Sequence, residues 1–291
     1  MRTAPAASGL AWGFVGVAAF SLTLPATRVA VLALDPFFVA LGRGVLAALL
    51  ATAVIVVTRT RRPTRDEWRL LAPSALGVVF GFPLFTTWAM KYAPAAHGAV
   101  VLAILPLATA AAGAIVAHER PSLRFWIAAL AGSAAVAAFA LREGAGALHA
   151  ADLALLAAVL CAAFGYAFGA RAAATLGSWQ SISWSLVASL PLLAPLLAFC
   201  LPRDALGVPA SAWLGFAYVA LVSQYLGFFA WYRGLAVGGI ARVGQLQLLH
   251  PFMTILACAA LLGEEVTASM VLFAAVVVAI VAIGRRMPIA R

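Results

Sequence analysis

The sequence predicts an all-α integral membrane protein: ten transmembrane helices in two inverted five-helix repeats. Three observations carry that prediction. The composition is too apolar for a soluble core, the apolar residues fall into runs long enough to cross a bilayer, and a set of prolines, glutamates and tryptophans recurs about half a chain apart.

Of the 291 residues, 65% are hydrophobic and 10% charged, with a mean hydropathy of +1.07; soluble domains are about 45–50% apolar and about 25% charged. No polar stretch is long enough for a second, soluble domain, so residues 1–291 are one transmembrane domain. The net charge of +10 comes from arginines set singly or in short clusters between apolar runs. They draw no continuous stripe along one element, so the lipid bilayer is the expected partner and nucleic acid is not. Cys161, Cys200 and Cys258 lie inside apolar runs without close spacing, as small buried hydrophobes do, and neither a metal nor another cofactor is expected.

A membrane-crossing helix needs roughly 20 mostly apolar residues at about 1.5 Å each. The first run, about 9–32, follows one basic residue as a signal peptide would, but it outlasts a secretory core of about 7–15 residues and more runs follow it. It therefore counts as a span and closes at "ALDP". The second, about 37–58, closes at "TRTRRPTRDEW"; the third, about 69–90, at "KYAP"; the fourth, about 94–117, at "HERPS"; the fifth, about 123–141, at "REGAGALHAAD". The sixth, about 152–173, closes at "LGS"; the seventh, about 178–200, at "LPRDALGVPAS"; the eighth, about 211–232, at "RGLAVGG"; the ninth, about 240–262, at "GEEVT"; the tenth is about 267–285. These breaks gather the glycines, prolines and charges that stop helices or resist the hydrocarbon.

Ten spans put both ends on one side. Arg2, Arg59, Arg61, Arg62, Arg65, Arg69, Arg120, Arg124, Arg171, Arg233, Arg242, Arg285, Arg286 and Arg291 flank one face against Lys91, Arg142 and Arg203 on the other, which predicts cytoplasmic termini. Arg28 and Arg43 fall within spans and do not enter that tally.

Pro106 and Pro251 lie 145 residues apart, as do Glu119 and Glu264, and Ser122 and Thr267; Trp88 and Trp231 lie 143 apart. The second half thus repeats the first. With five spans each, an odd number, the copies must enter the membrane in opposite senses, the layout of many secondary transporters. Ten spans, a proline in the fourth and ninth, and the links "ERPS" and "EEVT" resemble the EamA-type branch of the drug/metabolite transporter superfamily. The aromatic-rich third and eighth spans are similar to those of the bacterial YddG-type aromatic amino acid exporters. The resemblance implies a transporter domain over 1–291, with EamA-like repeats at 1–146 and 147–291. It also implies a pore enclosed by spans 1, 3, 4, 6, 8 and 9, with spans 5 and 10 peripheral, in a bacterial inner (plasma) membrane.

Polar side chains inside a bilayer tend to face a cavity or another helix. On the ninth span Gln247, His250 and Thr254 fall at i, i+3 and i+7, with Gln245 a little off that face, a stripe able to hydrogen-bond a zwitterion. The eighth offers Gln224, Phe228 and Trp231 with Tyr225 beside them; the third Phe85, Trp88, Lys91 and Tyr92; the first Phe20 and Thr23; the sixth Tyr166. These are the expected substrate-binding residues. Mid-span rings can stack on a flat apolar cargo, whereas Lys91 suits an interface, its stem in lipid and its head in water. Arg43 is expected to snorkel outward or pair with a carbonyl. Pro106 and Pro251 deprive the carbonyls of Leu102 and Gln247 of a donor, and so are expected to act as hinges that free carbonyls toward the cavity. Glu119 and Glu264 are expected at helix N-termini. Gly77-x3-Gly81 and Gly165-x3-Gly169 offer small faces for close helix approach.

An enzyme is disfavoured. "HERPS" lacks the second histidine of a zinc His-Glu-x-x-His helix, and no Gly-x-Ser-x-Gly elbow occurs. No carboxylate falls near the centre of a span, which leaves proton coupling without an acidic carrier, though His250 titrates in the right range. The expectation is export of small metabolites, foremost aromatic and other apolar amino acids, by a downhill facilitator; other metabolites or flat cationic drugs are the alternative. Oligomeric state is left open.

Overall fold

Eight helices among the described residues are long and apolar enough to cross a membrane: α1 (Ser8–Ala33), α2 (Pro36–Thr58), α3 (Arg65–Tyr92), α4 (Ala95–Val116), α5 (Ala150–Leu176), α6 (Ser178–Ala198), α7 (Ala210–Gly238) and α8 (Ile240–Leu262). A further apolar helix, α9 (Ala268–Arg285), coincides with the tenth predicted span. The computed structural model describes residues 4–123, 126–127, 130–131, 134–135, 138–139, 149–202, 204–285 and 289–290. The fifth predicted span falls largely outside them, so α5 to α8 are the sixth to ninth predicted spans.

Local chemistry sets the helix ends. Asp35 opens α2 by accepting from the backbone of Phe37 and Phe38 at 2.8 and 3.0 Å, with Pro36 at the first helical position. α3 begins at Arg65, four residues before the apolar run, because Thr64 and Glu67 form a capping box. Arg61 donates to both Glu67 oxygens at 2.8 and 2.7 Å, fastening the preceding connection to that turn. α7 runs on to Gly238, past the predicted stop at "RGLAVGG", and ends where Gly239 takes φ 91°. The arginine that looked like a break, Arg233, lies within the helix with its guanidinium over the Trp12 ring at 5.3 Å.

The long helices are not regular throughout. α3 is π-helical at Leu76–Gly81 and α7 at Val219–Leu226, equivalent positions of the two halves. α4 tightens to 3₁₀ at Leu102–Ile104 and α8 at Gln245–Leu249, immediately before the prolines. That corrects one expectation: the carbonyls of Leu102 and Gln247 are not freed, since the N–H groups of Leu105 and His250 reach back to them. The 3₁₀ turn supplies the donor that the proline removed.

The principal packing pairs join helices from different halves: α1 with α7, α3 with α5, α2 with α6, and α4 with α8. Glycines make the crossings close. A Cβ on Gly77 would stand 2.8 Å from Gly165 Cα, and one on Gly9 would stand 2.7 Å from Gly238 Cα. The glycine pattern of α3 therefore meets that of α5, while the α1–α7 crossing uses glycines the sequence reading passed over.

The helix ends are also clamped. Arg28 of α1 donates to the Met90 and Lys91 carbonyls at 2.6 and 3.1 Å, and Lys91 of α3 donates to Val31 O at 3.1 Å. Glu264, following α8, accepts from Ala95 and Ala96 N–H at 3.0 and 2.9 Å and so caps α4 in the opposite half. It was expected at a helix N-terminus, and the one it caps is that of α4. The Glu119 carboxylate lies beside Gly113 and Ile240, the latter being the first residue of α8. Ile289–Ala290 pairs antiparallel with Arg120–Pro121 as a two-residue ladder.

Candidate functional site

Where α1, α2, α3, α4, α5, α7 and α8 converge they enclose a cavity. Its apolar wall is Val17, Leu24, Val78, Phe82, Leu102 and Leu105, and its rings are Phe20, Tyr166 and Phe228. Phe20 stacks near-parallel on Tyr166 at 6.4 Å between centroids, and Phe228 stands edge-on to Phe20 at 5.1 Å. Trp231 closes the cluster from behind, edge-on to Phe20 and Tyr166 at 6.2 and 5.5 Å. The space open to a water-sized sphere is about 20 Å³, room for about one water molecule. This conformer is contracted.

The polar lining comes from four helices. On α8, His250 Nε2 lies 3.1 Å from Phe20 O, and Gln247 Nε2 donates to Thr109 Oγ1 at 3.3 Å and Gly244 O at 3.2 Å. On α7, Gln224 donates to Val78 O at 2.9 Å within the π-helical segment of α3, while its Oε1 is buried without a partner. Thr23 of α1 bonds Ser223 of α7 at 2.8 Å, and that serine accepts from Arg43 Nη2 of α2 at 2.8 Å. Arg43 is only 1% exposed. It meets neither expectation, snorkelling outward or pairing with a carbonyl: its partner is the Ser223 hydroxyl, and α6 packs over α2 there, Leu193 lying against Gly44.

Of the expected site residues, Phe20, Thr23, Tyr166, Gln224, Phe228, Gln247 and His250 come together at this cavity, and Trp231 backs it. The others lie elsewhere. Thr254 is buried and donates to Ser21 O at 2.7 Å, joining α8 to α1. Gln245 is buried at the first position of the 3₁₀ turn, outside the lining, and Tyr225 turns toward α6, where its hydroxyl meets Ser183 at 2.9 Å. Phe85 is 40% exposed on the outer face of α3. Trp88 and Tyr92 pack together at 5.1 Å and line a separate, open pocket with His97, His149 and Asp152. Lys91 is engaged with α1, away from the cavity. The α3 side chains that reach the cavity are Val78 and Phe82, within and directly after the π-helical segment, and Phe85, Trp88 and Tyr92 lie further along the helix. Arg43 and Ser223 were missed. Arg43 carried a usable signal, since an ionisable residue within a span is a functional candidate by default; Ser223 carried none.

The EamA-like transporter family matches residues 7–141 and again 149–284. An uncharacterized transporter, YdeK, of Bacillus subtilis (strain 168) is 46% identical over 276 residues, covering 94% of this chain and 96% of that protein. A solved crystal structure superposes with a TM-score of 0.70 over 95% of this chain and 98% of its own, at 20% identity, a likeness of fold.

Proposed function

The chain belongs to the EamA-like transporter family, and from that premise we propose that it exports aromatic and other apolar amino acids across a bacterial inner (plasma) membrane. The observation that supports this reading most is the cavity itself, where the rings of Phe20, Tyr166 and Phe228 face polar atoms of Gln224, Gln247 and His250. A flat side chain between those rings gains about 0.5–1.5 kcal/mol per ring pair beyond its buried area. The amide and imidazole groups meet the polar end of the cargo with hydrogen bonds.

Room for one water excludes an amino acid from this conformer, so the helices must part to load it. In our reading the two five-helix halves, inverted with respect to each other and with both termini cytoplasmic, rock around the cavity. Pro106 and Pro251 with their 3₁₀ turns serve as the hinges. Transport is downhill in this reading: among the described residues no Asp or Glu lines the cavity to carry a proton. Of the other candidate cargoes, flat cationic drugs are opposed by the buried Arg43 guanidinium, while other small metabolites are not.

The test is uptake of labelled tryptophan, phenylalanine and threonine into proteoliposomes, with and without a proton gradient. Faster flux of the two aromatic substrates without a gradient is the expected result. Flux only with the gradient overturns the downhill mechanism, and flux of none of the three overturns the substrate assignment.

A further inference from the structure

Arg43 is the only Lys, Arg, Asp or Glu among the residues lining the cavity, and its protein partners do not account for it. Nη2 donates to Ser223, whereas Nε and Nη1 are fully buried and have no acceptor. A guanidinium carries five N–H donors in a planar fork. Each hydrogen of Nη2 belongs to a different edge of that fork, so Ser223 occupies one edge and leaves the other open. Its hydrogen-bond partner there is the Ser223 hydroxyl, itself bonded to Thr23, and the Tyr166 hydroxyl of α5 lines the same cavity. None neutralises it. A buried ion without a counter-ion costs several kcal/mol even after relaxation, and charges within membrane spans are retained where they face a cavity and meet a partner.

We propose that Arg43 is the carboxylate anchor of the cavity: the cargo presents a carboxylate to the open edge of the guanidinium, and the unpartnered Gln224 Oε1 accepts an N–H or O–H beside it. This rests on the reading of the cavity as the cargo site and adds the chemical class it selects. A single guanidinium in an otherwise uncharged lining balances one negative charge, which fits a carboxylate and leaves a phosphate dianion undercompensated. The two-oxygen geometry of a carboxylate matches one edge of the fork. The aromatic cluster then takes the rest of the molecule.

Four probes of nearly one shape separate the charge from the ring: 3-phenylpropionate, phenylalanine, 3-phenylpropanamide and phenethylamine. Their binding to the purified full-length protein in micelles is measured by calorimetry, beside flux of labelled phenylalanine in proteoliposomes. The two acids are expected to bind at least about tenfold more tightly than the amide and the amine. R43Q should bring the acids down to the level of the amide, while R43K keeps a weaker preference, since an ammonium lacks the fork. Equal binding of acid and amide by the unaltered protein, failure of either acid to bind, or an acid preference that survives in R43Q each overturns the anchor. The first two need no variant, so a misfolded R43Q does not blunt the test. Intact phenylalanine flux with equal acid and amide binding leaves the transport reading standing without the anchor; Arg43-dependent acid binding without amino acid flux does the reverse.

Discussion

His250 and Thr254 sit one turn apart on α8 and both reach α1, yet they make opposite predictions. His250 lines the cavity and meets Phe20 O, a carbonyl that can only accept, so Nε2 carries the proton in this arrangement. H250A removes a polar group that cargo would touch. Flux should fall about tenfold or more, while stability drops only by the roughly 1 kcal/mol of one lost hydrogen bond; unchanged flux would remove His250 from the site. Thr254 lies outside the lining and donates to Ser21 O. T254V should therefore cost a comparable ~1 kcal/mol in thermal denaturation and leave the apparent affinity for cargo where it was. From the sequence the two were indistinguishable members of one stripe, because helical periodicity says which residues share a face and not where the wall of the cavity ends. Arg43 shows the complementary failure: its chemistry was visible, but whether it snorkelled depended on α6, which no local pattern reveals.

The helices themselves were legible at the level of elements, since length and hydropathy decide what crosses a bilayer. Their irregularities were not. The π-helical segments of α3 and α7 carry no local sequence signal that length and hydropathy register. Val78, Gln224, Phe82 and Phe228, inside or within two residues of these segments, reach the cavity, whereas Phe85 and Tyr92, further along α3, do not. Two element-scale predictions follow from close contacts. Gly77→Leu places a branched side chain against Gly165 Cα and should destabilise the fold by about 1–3 kcal/mol or more, read as loss of monodisperse protein in detergent and a lower Tm. Glu264→Ala removes the acceptor from two N–H groups at the start of α4. It should cost about 0.5–2 kcal/mol, as loss of an N-cap does, and Glu264→Gln should recover part of that. An E264A protein as stable as the original would show that water caps α4 equally well.

At the scale of the molecule, no pattern in the sequence revealed that helices within residues 1–146 would take their main partners from residues 147–291. From the charge bias we expect the Arg61–Glu67 clamp on the cytoplasmic side and the Lys91 end of α3 on the far side. Cysteines introduced at Arg62 and Tyr92, both exposed, should accordingly be labelled by a membrane-impermeant maleimide from opposite faces of oriented vesicles. Labelling of both from one face would overturn the topology. The pairing of helices across the halves, with glycine backbones at α1–α7 and α3–α5 and the Glu264 carboxylate on α4, has one more consequence. Residues 1–146 made alone would carry bare glycine faces and an uncapped α4 into the lipid, and so would be adhesive rather than merely incomplete. Such a fragment has two ways to cover itself, a second copy or its natural complement. Two co-expressed fragments should thus find each other within the bilayer without a peptide bond between them, so that the covalent link supplies stoichiometry and the interlocked surfaces supply assembly.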